Sequence, residues 1–542
     1  MTITIVDVAL ATSLLLLLYG LLRKSFGPSP LDAIPGPPSK SWLMGNLPEM
    51  FDFDSWKFHE ELAAKYGRVA KVNSFLGTKN LYISDPLALY HIIVKDQHIF
   101  EKHDDDFEIF SLIFGPGLLS VKGDRHRKQR KILNPVFSTS HLRNMVPTFY
   151  GIAKQLRGVI ASKIKDGPLE VEMMLWLTHT ALELVGQAGL GRSFDLLHEG
   201  AVSPYAEAIK CLGPVFFEYP ILLFVGPSLM KIGTPKFRRF IVERTPHWLV
   251  QRIRHMIDTM QQTSEDVFYS SSSALRKGNA AFQEEAEGKD ILSILLRANN
   301  KASSKERLAD EEVIAQLTTL MFAAMDTTST AVSRILHLLA QYPELQEKLR
   351  KELSEAQADS DLTYDELDRL PYLDAICRET SRYYCTVPTV GRAAAEDAVL
   401  PLSSPITDVN GKEMREIFVP KGTRITVAIM AANRSKEIWG EDAEEWKPQR
   451  WLAPLPESVS QAHLPGVYSN MMTFLGGSRA CIGFKFAELE IKVILAVLLR
   501  AFRFSLSEKE IFWRMGMIVT PSVKGSTRFE PELYLKVEAV DD

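Results

Sequence analysis

The chain has 542 residues, of which 46% are hydrophobic, and its formal net charge is -4. That length is ample for a large core and by itself suggests roughly two to four domains. The small net charge excludes a general nucleic-acid-binding signature, and the four cysteines lack the spacing of a disulfide framework, which favours a reducing compartment.

The N-terminus contains an apolar stretch over residues 3–22, in which Asp7 is the only charged residue. Its length suits one crossing of a bilayer, and the basic pair Arg23–Lys24 predicts a cytosolic C-terminal side. A cleaved signal peptide is the alternative, but no positive segment precedes the apolar run. We predict an uncleaved anchor over residues 1–24, a proline-rich linker over 25–41 and one large domain over 42–542.

Helix-like segments and short β-rich runs alternate in residues 42–99. An apolar loop is predicted from Phe107 to Leu119, and its aromatic side chains could be core or could line a substrate pocket. The basic run at 122–131 predicts a solvated helix.

The region 146–262 is predicted to be largely helical, with an apolar, proline-containing break at 214–228. Residues 264–289 are predicted to form a surface excursion, and residues 515–540 a closing β-hairpin. The longest predicted helix runs from Asp310 to Gln341, with Asp310 as its N-cap and Pro343 after its end.

An acid and four hydroxyl residues interrupt the middle of that helix, where residues 323–330 read Ala-Ala-Met-Asp-Thr-Thr-Ser-Thr. The hydroxyls could simply bond back to carbonyls one turn earlier. Alternatively, they open a gap in the helix, hold water and pass protons. On the second interpretation Asp326 and Thr327 are the candidate catalytic pair.

Cys481 lies in the sequence Phe-Leu-Gly-Gly-Ser-Arg-Ala-Cys-Ile-Gly at 474–483, directly before a predicted helix at 484–499. A lone cysteine is usually a small buried hydrophobe. Here neighbouring glycines allow close approach, the helix start favours a thiolate, and Arg479 can neutralise an acidic group. No second cysteine or histidine pair supplies a zinc or iron–sulfur site, so a single thiolate suits a metal held by a macrocycle, which means haem.

The pattern Phe-x-x-Gly-x-Arg-x-Cys-x-Gly, matched here by Phe474, Gly477, Arg479, Cys481 and Gly483, resembles the haem-binding signature of the cytochrome P-450 family, the haem-thiolate monooxygenases. The similarity to the membrane-anchored eukaryotic microsomal type, fungal in style, covers nearly the whole chain after the anchor. It implies a mainly α fold with a smaller β portion (α+β), preceded by one N-terminal transmembrane helix.

The resemblance also implies haem b, with Cys481 as the axial ligand of the iron and Phe474, Gly477, Arg479 and Gly483 around it. Further haem-binding residues on the same basis are His126, which stands where the family usually has Trp, with Arg130 and Arg392.

Two further segments resemble family motifs. The segment around Asp326 and Thr327 is similar to the oxygen-binding motif, with Ala324 in place of the usual Gly. Glu379 and Arg382, together with Arg450 from Pro-Gln-Arg-Trp, resemble a structural trio.

The activity that the resemblance implies is insertion of one oxygen atom from O2 into a lipophilic small molecule, such as a terpenoid, a sterol, a fatty acid or another specialised metabolite. Electrons would come from an NADPH-cytochrome P-450 reductase, for which Arg127, Lys128 and Lys131 could offer a dock. The catalytic domain would face the cytosol from the endoplasmic reticulum membrane. Candidate pocket residues are Phe107, Phe110, Phe114, Phe216, Phe217 and Phe322.

Two alternatives stay open: a haem-thiolate isomerase or dehydratase that needs no reductase, and a non-catalytic haem-binding sensor. The acid–alcohol pair Asp326–Thr327 argues for oxygen activation.

Overall fold

The computed structural model describes residues 27–219, 221–276, 290–301, 306–356, 360–528 and 530–540. Helices account for 57% and strands for 13%, so the prediction of a mainly α fold with a smaller β portion is confirmed. Within those ranges, no helix is both long enough and apolar enough to cross a membrane. The anchor predicted at residues 1–24 lies outside them.

The α-helices are α1 (Leu47–Met50), α2 (Trp56–Tyr66), α3 (Pro86–Tyr90), α4 (Asp104–Phe114), α5 (Gly123–Leu133), α6 (Thr139–Lys163), α7 (Met173–Leu184), α8 (Pro204–Glu218), α9 (Ile221–Met230), α10 (Pro235–Arg244), α11 (Trp248–Arg276), α12 (Ile291–Lys301), α13 (Asp310–Gln341), α14 (Pro343–Ala356), α15 (Tyr364–Asp368), α16 (Pro371–Tyr383), α17 (Ile429–Asn433), α18 (Lys436–Trp439), α19 (Glu457–Gln461) and α20 (Phe484–Ala501). The strands are β1 (Val69–Asn73), β2 (Lys79–Ile83), β3 (Phe100–Glu101), β4 (Leu169–Glu172), β5 (Val390–Ala394), β6 (Ala398–Thr407), β7 (Glu413–Val419), β8 (Arg424–Val427), β9 (Phe502–Leu506), β10 (Ile511–Arg514), β11 (Thr520–Val523) and β12 (Tyr534–Ala539).

Backbone contacts divide the chain into two compact units. The sheet unit comprises the described residues up to His103, Thr389–Ser435 and Val459–Arg479. The helical unit comprises Asp104–Pro388, Lys436–Ser458 and the described residues from Ala480 onward.

The sheet unit is built on a five-stranded sheet with the order β1-β2-β8-β5-β3. Strand β2 is antiparallel to β1 and parallel to β8, and β5 pairs antiparallel with β8. Leu31 and Ile34 are buried, and the Lys71 N–H donates to the Pro35 carbonyl at 2.9 Å. The described part of the predicted linker is therefore packed against this unit rather than free.

The helical unit has one large apolar core, in which α13 packs against α7 and α11, and α20 packs against α6. The bounds predicted for α13 are confirmed, but its N-cap is Ala309 rather than Asp310. The Glu312 carboxylate accepts the Ala309 N–H at 3.1 Å, so a first-turn acid satisfies the helix start.

Three predicted irregular segments are helical in the structure. The predicted loop from Phe107 belongs to α4 as far as Phe114, because three aspartates at 104–106 favour a helix start there. The predicted break at 214–228 is confined to the junction of α8 and α9, and both helices contain an internal proline. Of the predicted excursion, residues 264–276 extend α11, and 277–289 lie outside the described residues.

The C-terminal hairpin lies earlier than predicted. Strands β10 and β11 form the antiparallel hairpin, with Ile511 opposite Val523. Strand β12 instead lies between β4 and β9 in a three-stranded antiparallel sheet, since its alternating buried residues Leu535 and Val537 face the core of the helical unit.

Candidate active site

The boundary between the units falls inside the cysteine motif, between Arg479 and Ala480. Phe474, Gly477 and Arg479 thus belong to the sheet unit, whereas Cys481 and Gly483 belong to the helical unit.

In the sheet unit, the two adjacent glycines of the motif are required by close backbone packing. A Cβ on Gly476 would lie 1.5 Å from the Pro465 carbonyl oxygen, and one on Gly477 would lie 2.0 Å from that of Ile93. Gly477 also has φ +63°, a conformation that disfavours side chains. Packing alone therefore explains why Gly477 is glycine.

Two arginines of the sheet unit line one cleft of about 10 Å³. Arg479 pairs with Glu101 at 3.2 Å, and Arg392, on β5, is buried and donates to the Gly391 carbonyl at 2.8 Å. Burial lowers the pKa of Arg479, and the Glu101 carboxylate opposes that shift. Two guanidinium groups with little exposure suit an anionic partner such as a carboxylate.

In the helical unit, Cys481 precedes α20, and its surface is accessible to solvent although many protein atoms surround the thiol. Burial raises the pKa of the Cys481 thiol, whereas the Gly483 N–H and the charge of Arg130 act to lower it. Arg130 also donates to the Ala480 carbonyl at 2.7 Å. A Cβ on Gly483 would meet only the Phe137 ring, at 3.8 Å, so protein packing does not require glycine there.

Helix α5 carries His126 and Arg130, and His126 is buried. The exposed cations of this helix have protein partners: Lys131 pairs with Glu306 at 2.9 Å, Lys128 donates to the Arg307 carbonyl at 2.8 Å, and Arg127 pairs with Asp124. These contacts reduce the positive potential that the sequence predicted for a docking face.

The acid and alcohol of α13 have separate partners. The Asp326 carboxylate is buried and pairs with Lys210 of α8 at 2.6 Å. The Thr327 hydroxyl donates to the Ala323 carbonyl at 2.7 Å, and Ser329 donates to Met325 at 2.6 Å. The helix runs without interruption through 323–330, so the predicted gap is absent from this described segment and the two hydroxyls bond back one turn.

Lys210 is the residue that sequence reasoning missed. Its ammonium group also donates to Ser329 at 2.8 Å, and burial lowers its pKa while Asp326 acts to raise it. The available signal was a single lysine within the apolar part of residues 208–217.

The trio Glu379, Arg382 and Arg450 forms one buried network. The Arg382 guanidinium donates to both oxygens of Glu379 at 2.9 and 2.8 Å, and both side chains are 0% exposed. Arg450 approaches the same carboxylate at 3.4 Å and pairs with Asp442 at 2.6 Å.

The six phenylalanines predicted to line a pocket lie in the helical unit, and three of them are in ring contact. Phe114 and Phe322 have ring centroids 4.7 Å apart, and Phe110 lies 6.1 Å from Phe114. Phe216 belongs to the same apolar core, and Phe107 and Phe217 are buried.

The chemistry of these groups fits a haem. In the helical unit, Cys481 is exposed, and a backbone N–H and a guanidinium act against the rise that burial causes in its pKa, which helps to form the thiolate that haem iron accepts from cysteine. In the sheet unit, the guanidinium groups of Arg392 and Arg479 are cations of the kind that hold propionates.

Comparison with known proteins gives the same result. A family model described as cytochrome P-450 matches residues 35–529. Cytochrome P-450 monooxygenase 91 of Postia placenta is 48% identical over 98% of this chain and 98% of its own length. Monooxygenase 81 of the same fungus is 45% identical over 98% and 97%, and a ganoderic acid synthetase of Ganoderma lucidum is 45% identical over 94% of each chain.

The chain belongs to the cytochrome P-450 family. It is a monooxygenase, and it uses haem iron with O2 and NADPH-derived electrons as co-substrates. The family and the enzyme class predicted from the cysteine motif are thereby confirmed.

Proposed function

We propose that this monooxygenase inserts one oxygen atom from O2 into a lipophilic small molecule, such as a terpenoid, a sterol, a fatty acid or another specialised metabolite. The cluster of Phe110, Phe114 and Phe322 supports an apolar substrate, because aromatic side chains dominate sites for such ligands. One relative, from Ganoderma lucidum, carries a name that refers to an organic acid, ganoderic acid.

Cys481 would bind the haem iron, and its exposed position beside Arg130 and the Gly483 N–H is the observation that carries the proposal. When bound, haem supplies the activation of dioxygen and the transfer of its oxygen atom. The Gly483 N–H stabilises the thiolate and tunes its electron donation.

The remaining motif residues bind and orient the cofactor in this proposal. Within the sheet unit, Arg392 and Arg479 would bind propionates; within the helical unit, Arg130 and His126 would bind the haem. Phe474 is a further residue that would bind the haem. Gly477 and Gly483 allow the backbone to come close, and the Glu379–Arg382–Arg450 network keeps the segment around residues 442–451 in place.

Asp326 and Thr327 are proposed to supply protons to the reaction. Both currently hold protein partners, so proton delivery requires the Thr327 hydroxyl to leave the Ala323 carbonyl and the Asp326 carboxylate to turn away from α8.

Electrons are proposed to come from an NADPH-cytochrome P-450 reductase. Both proteins are proposed to lie on the endoplasmic reticulum membrane. In this protein, residues 1–24 would form a single-pass anchor, and the catalytic domain would face the cytosol.

Helix α10 supports a membrane contact. Its Phe237, Phe240 and Ile241 are each about half exposed, and Lys236 and Arg238 lie beside them, as expected for an interfacial helix.

The central test is a carbon monoxide difference spectrum of the reduced protein, compared with that of Cys481→Ser. A strongly red-shifted Soret band in the wild type, lost in the variant, supports thiolate ligation. Cys377→Ser is the matched control, because Cys377 is buried in α16 and burial raises the pKa of its thiol to about 12. A band typical of imidazole ligation, or one unchanged in Cys481→Ser, contradicts the proposal.

A second experiment tests the electron source. NADPH consumption is measured with reductase, using dodecanoic acid and a sterol as probes. Consumption and oxygenated product that both require reductase support a monooxygenase cycle, whereas product without reductase points to the isomerase or dehydratase alternative.

The membrane contact is tested by quenching of Trp248, which is half exposed at the start of α11. The full-length protein is reconstituted in vesicles with brominated acyl chains, and the contribution of this residue is the difference from Trp248→Phe. Quenching that falls in Phe237→Ser/Phe240→Ser supports interfacial contact, whereas no quenching of Trp248 argues against it.

A further inference from the structure

A cavity of about 350 Å³ in the helical unit is lined by the segment that leads into α8 and by one face of α11. Its volume lies within the usual range for small-molecule sites. The segment before and at the start of α8 contributes a mainly apolar wall that includes Phe194, Leu196, Val202 and Tyr205. None of these is among the residues proposed to bind haem or to form the phenylalanine cluster, so the proposed reaction does not explain this cavity.

The wall is held in place by a buried acid of α7. Glu183 is 1% exposed, and its carboxylate accepts the Leu196 N–H at 2.9 Å and the Ser193 hydroxyl at 2.9 Å. The Gln187 side chain donates to the same carboxylate at 2.9 Å. Hydrogen bonds to an ionised group are among the stronger ones in proteins, so they fix the loop in one geometry. The cavity wall is therefore preorganised, which lowers the cost of binding.

Phe194 of the same wall packs on a glycine of an unusual helical segment. Helix α7 continues into a π-helix over Val185–Gly189, a rare form that is frequent at functional sites. A Cβ on Gly186 would lie 2.7 Å from the Arg192 carbonyl oxygen and 2.7 Å from the Phe194 ring. A larger residue would force the loop to move, so this glycine allows Phe194 to lie where it lines the cavity.

The other wall is a polar face of α11. Its lining residues Thr259, Gln262, Thr263 and Asp266 follow the spacing i, i+3, i+4 and i+7, so they share one side of the helix. The Gln262 and Asp266 side chains are exposed, and neither has a hydrogen-bond or ion-pair partner among the described residues. Of the described lining residues, Asp266 alone is charged. The cavity thus combines one unpaired carboxylate with an apolar wall.

The aromatic members of the wall add to this preference. Phe194 and Tyr205 both line the cavity, and aromatic rings attract organic cations, with quaternary ammonium groups as the best-known case. Tyr205 is 3% exposed, and its hydroxyl has no hydrogen-bond partner within the described residues. Since buried hydroxyls are nearly always hydrogen-bonded, a ligand that carries a polar group suits this wall better than a hydrocarbon.

We propose that this cavity is an accessory binding site for an organic ammonium ion with an apolar body. Asp266 compensates the charge of the ligand, and Phe194, Leu196 and Val202 contact its apolar part. The site goes beyond the proposed function and does not depend on it. A bound ligand connects α11 with the segment before α8, so it reduces local opening of both.

The first test is calorimetric titration of the haem-loaded full-length protein with benzyltrimethylammonium. The nitrogen of this probe has no lone pair, so it cannot bind to iron. We expect saturable binding, and we expect Asp266→Asn to weaken it by about three- to fivefold, which is the scale of an exposed ion pair. Absence of saturable binding, or equal affinity in Asp266→Asn, would overturn the proposal.

Asp258→Asn is the matched control. Asp258 is also a partly exposed aspartate of α11, but it pairs with Arg239 at 2.6 Å and does not line the cavity. Its replacement removes the same charge from the same helix and should leave the affinity for the probe unchanged. A loss equal to that in Asp266→Asn would show a response to overall charge and would contradict a specific site.

The second test locates the probe by hydrogen exchange. Benzyltrimethylammonium should slow exchange in residues 193–206 and 259–266 by roughly twofold or more, whereas phenylacetate, an anion with a similar apolar body, should slow neither. Val202→Trp should abolish the protection, because Val202 is 77% exposed and a larger side chain there fills the cavity without disturbing the core. Equal protection by phenylacetate or in Val202→Trp, or protection confined to other segments, would overturn the proposal.

The failure of this inference and that of the proposed function are separable. The carbon monoxide spectrum and reductase-dependent product formation test the proposed function, and neither depends on Asp266. The Soret band recorded during the titration should stay unchanged, since the probe does not bind at the haem. A Soret shift that follows the titration and persists in Asp266→Asn would assign the binding to the haem site and overturn the accessory site alone.

Discussion

Two of the buried ionic clusters in the described part of the helical unit differ in how many partners hold the acid. The Glu379 carboxylate accepts hydrogen bonds from Arg382 on both oxygens and also pairs with Arg450. It accepts two further hydrogen bonds, from the Lys447 N–H at 2.9 Å and from the Trp451 indole N–H at 2.9 Å. Asp326, by contrast, pairs with Lys210 alone among the cations of the described residues, on a helix weakened by Pro214. An acid with many partners stays in one geometry, whereas one with few can exchange them.

The largest effect is expected from breaking the denser cluster with Arg382→Met. The Glu379 charge would lose its bidentate partner while staying fully buried. We expect a loss of about 3–5 kcal/mol in the free energy of unfolding, measured by chemical denaturation, with poor haem retention.

The control for Arg382→Met also removes the Glu379 carboxylate, which that variant leaves buried without its main partner. The double variant Glu379→Leu/Arg382→Met has no uncompensated carboxylate and should recover part of the lost stability, since the cost lies in the unpaired buried charge. A double variant that is less stable than Arg382→Met would show that the network stabilises mainly by its contacts.

A third buried acid extends the comparison of Glu379 with Asp326, because it has no ion pair within the described residues. Glu490 of α20 is fully buried, and burial raises its pKa well above the usual 4.5, although the nearby Thr328 hydroxyl acts to lower it. The folded protein thus keeps a proton that the unfolded chain releases, so the stability contributed by this proton falls as pH rises from about 4.5 toward the folded pKa.

Glu490→Gln should remove that pH dependence. At pH values above 4.5 and below the folded pKa of Glu490, the wild type should lose up to about 1.4 kcal/mol of unfolding free energy per pH unit relative to the variant. Denaturation of both proteins at three pH values measures the difference. Parallel stability curves would mean that Glu490 is charged in the folded protein, and burial would then not distinguish it from the paired acids.

The difference between the clusters also determined what could be predicted from the sequence. Glu379, Arg382 and Arg450 were found because short local motifs carry them, and Cys481 was found for the same reason. Lys210 is 116 residues from Asp326, and only the packing of α8 against α13 brings them together. No local pattern encodes that pairing.

Prolines within helices led to an incorrect prediction of a break, for a related reason. Pro214 and Pro227 indicated a long break, yet α8 and α9 continue through them. For α8 the tertiary burial of side chains such as Ile209 and Val215 outweighs one lost backbone hydrogen bond. Burial of that kind is a property of the whole unit, and the same burial holds Lys210 in place.

The smallest effect is expected from Arg378→Met, one turn before Arg382 on α16. Arg378 pairs with Asp374 at 2.5 Å, but its side chain is 35% exposed. Water compensates both charges when such a pair is broken, so we expect a loss of no more than about 1 kcal/mol by the same denaturation measurement. Arg378 has one partly solvated carboxylate partner, whereas Arg382 is fully buried and also donates to the Ala443 and Glu445 carbonyls, so the two variants compare a solvated pair with a buried network. A loss in Arg378→Met equal to that in Arg382→Met would mean that neither burial nor the number of partners determines the cost of removing the arginine.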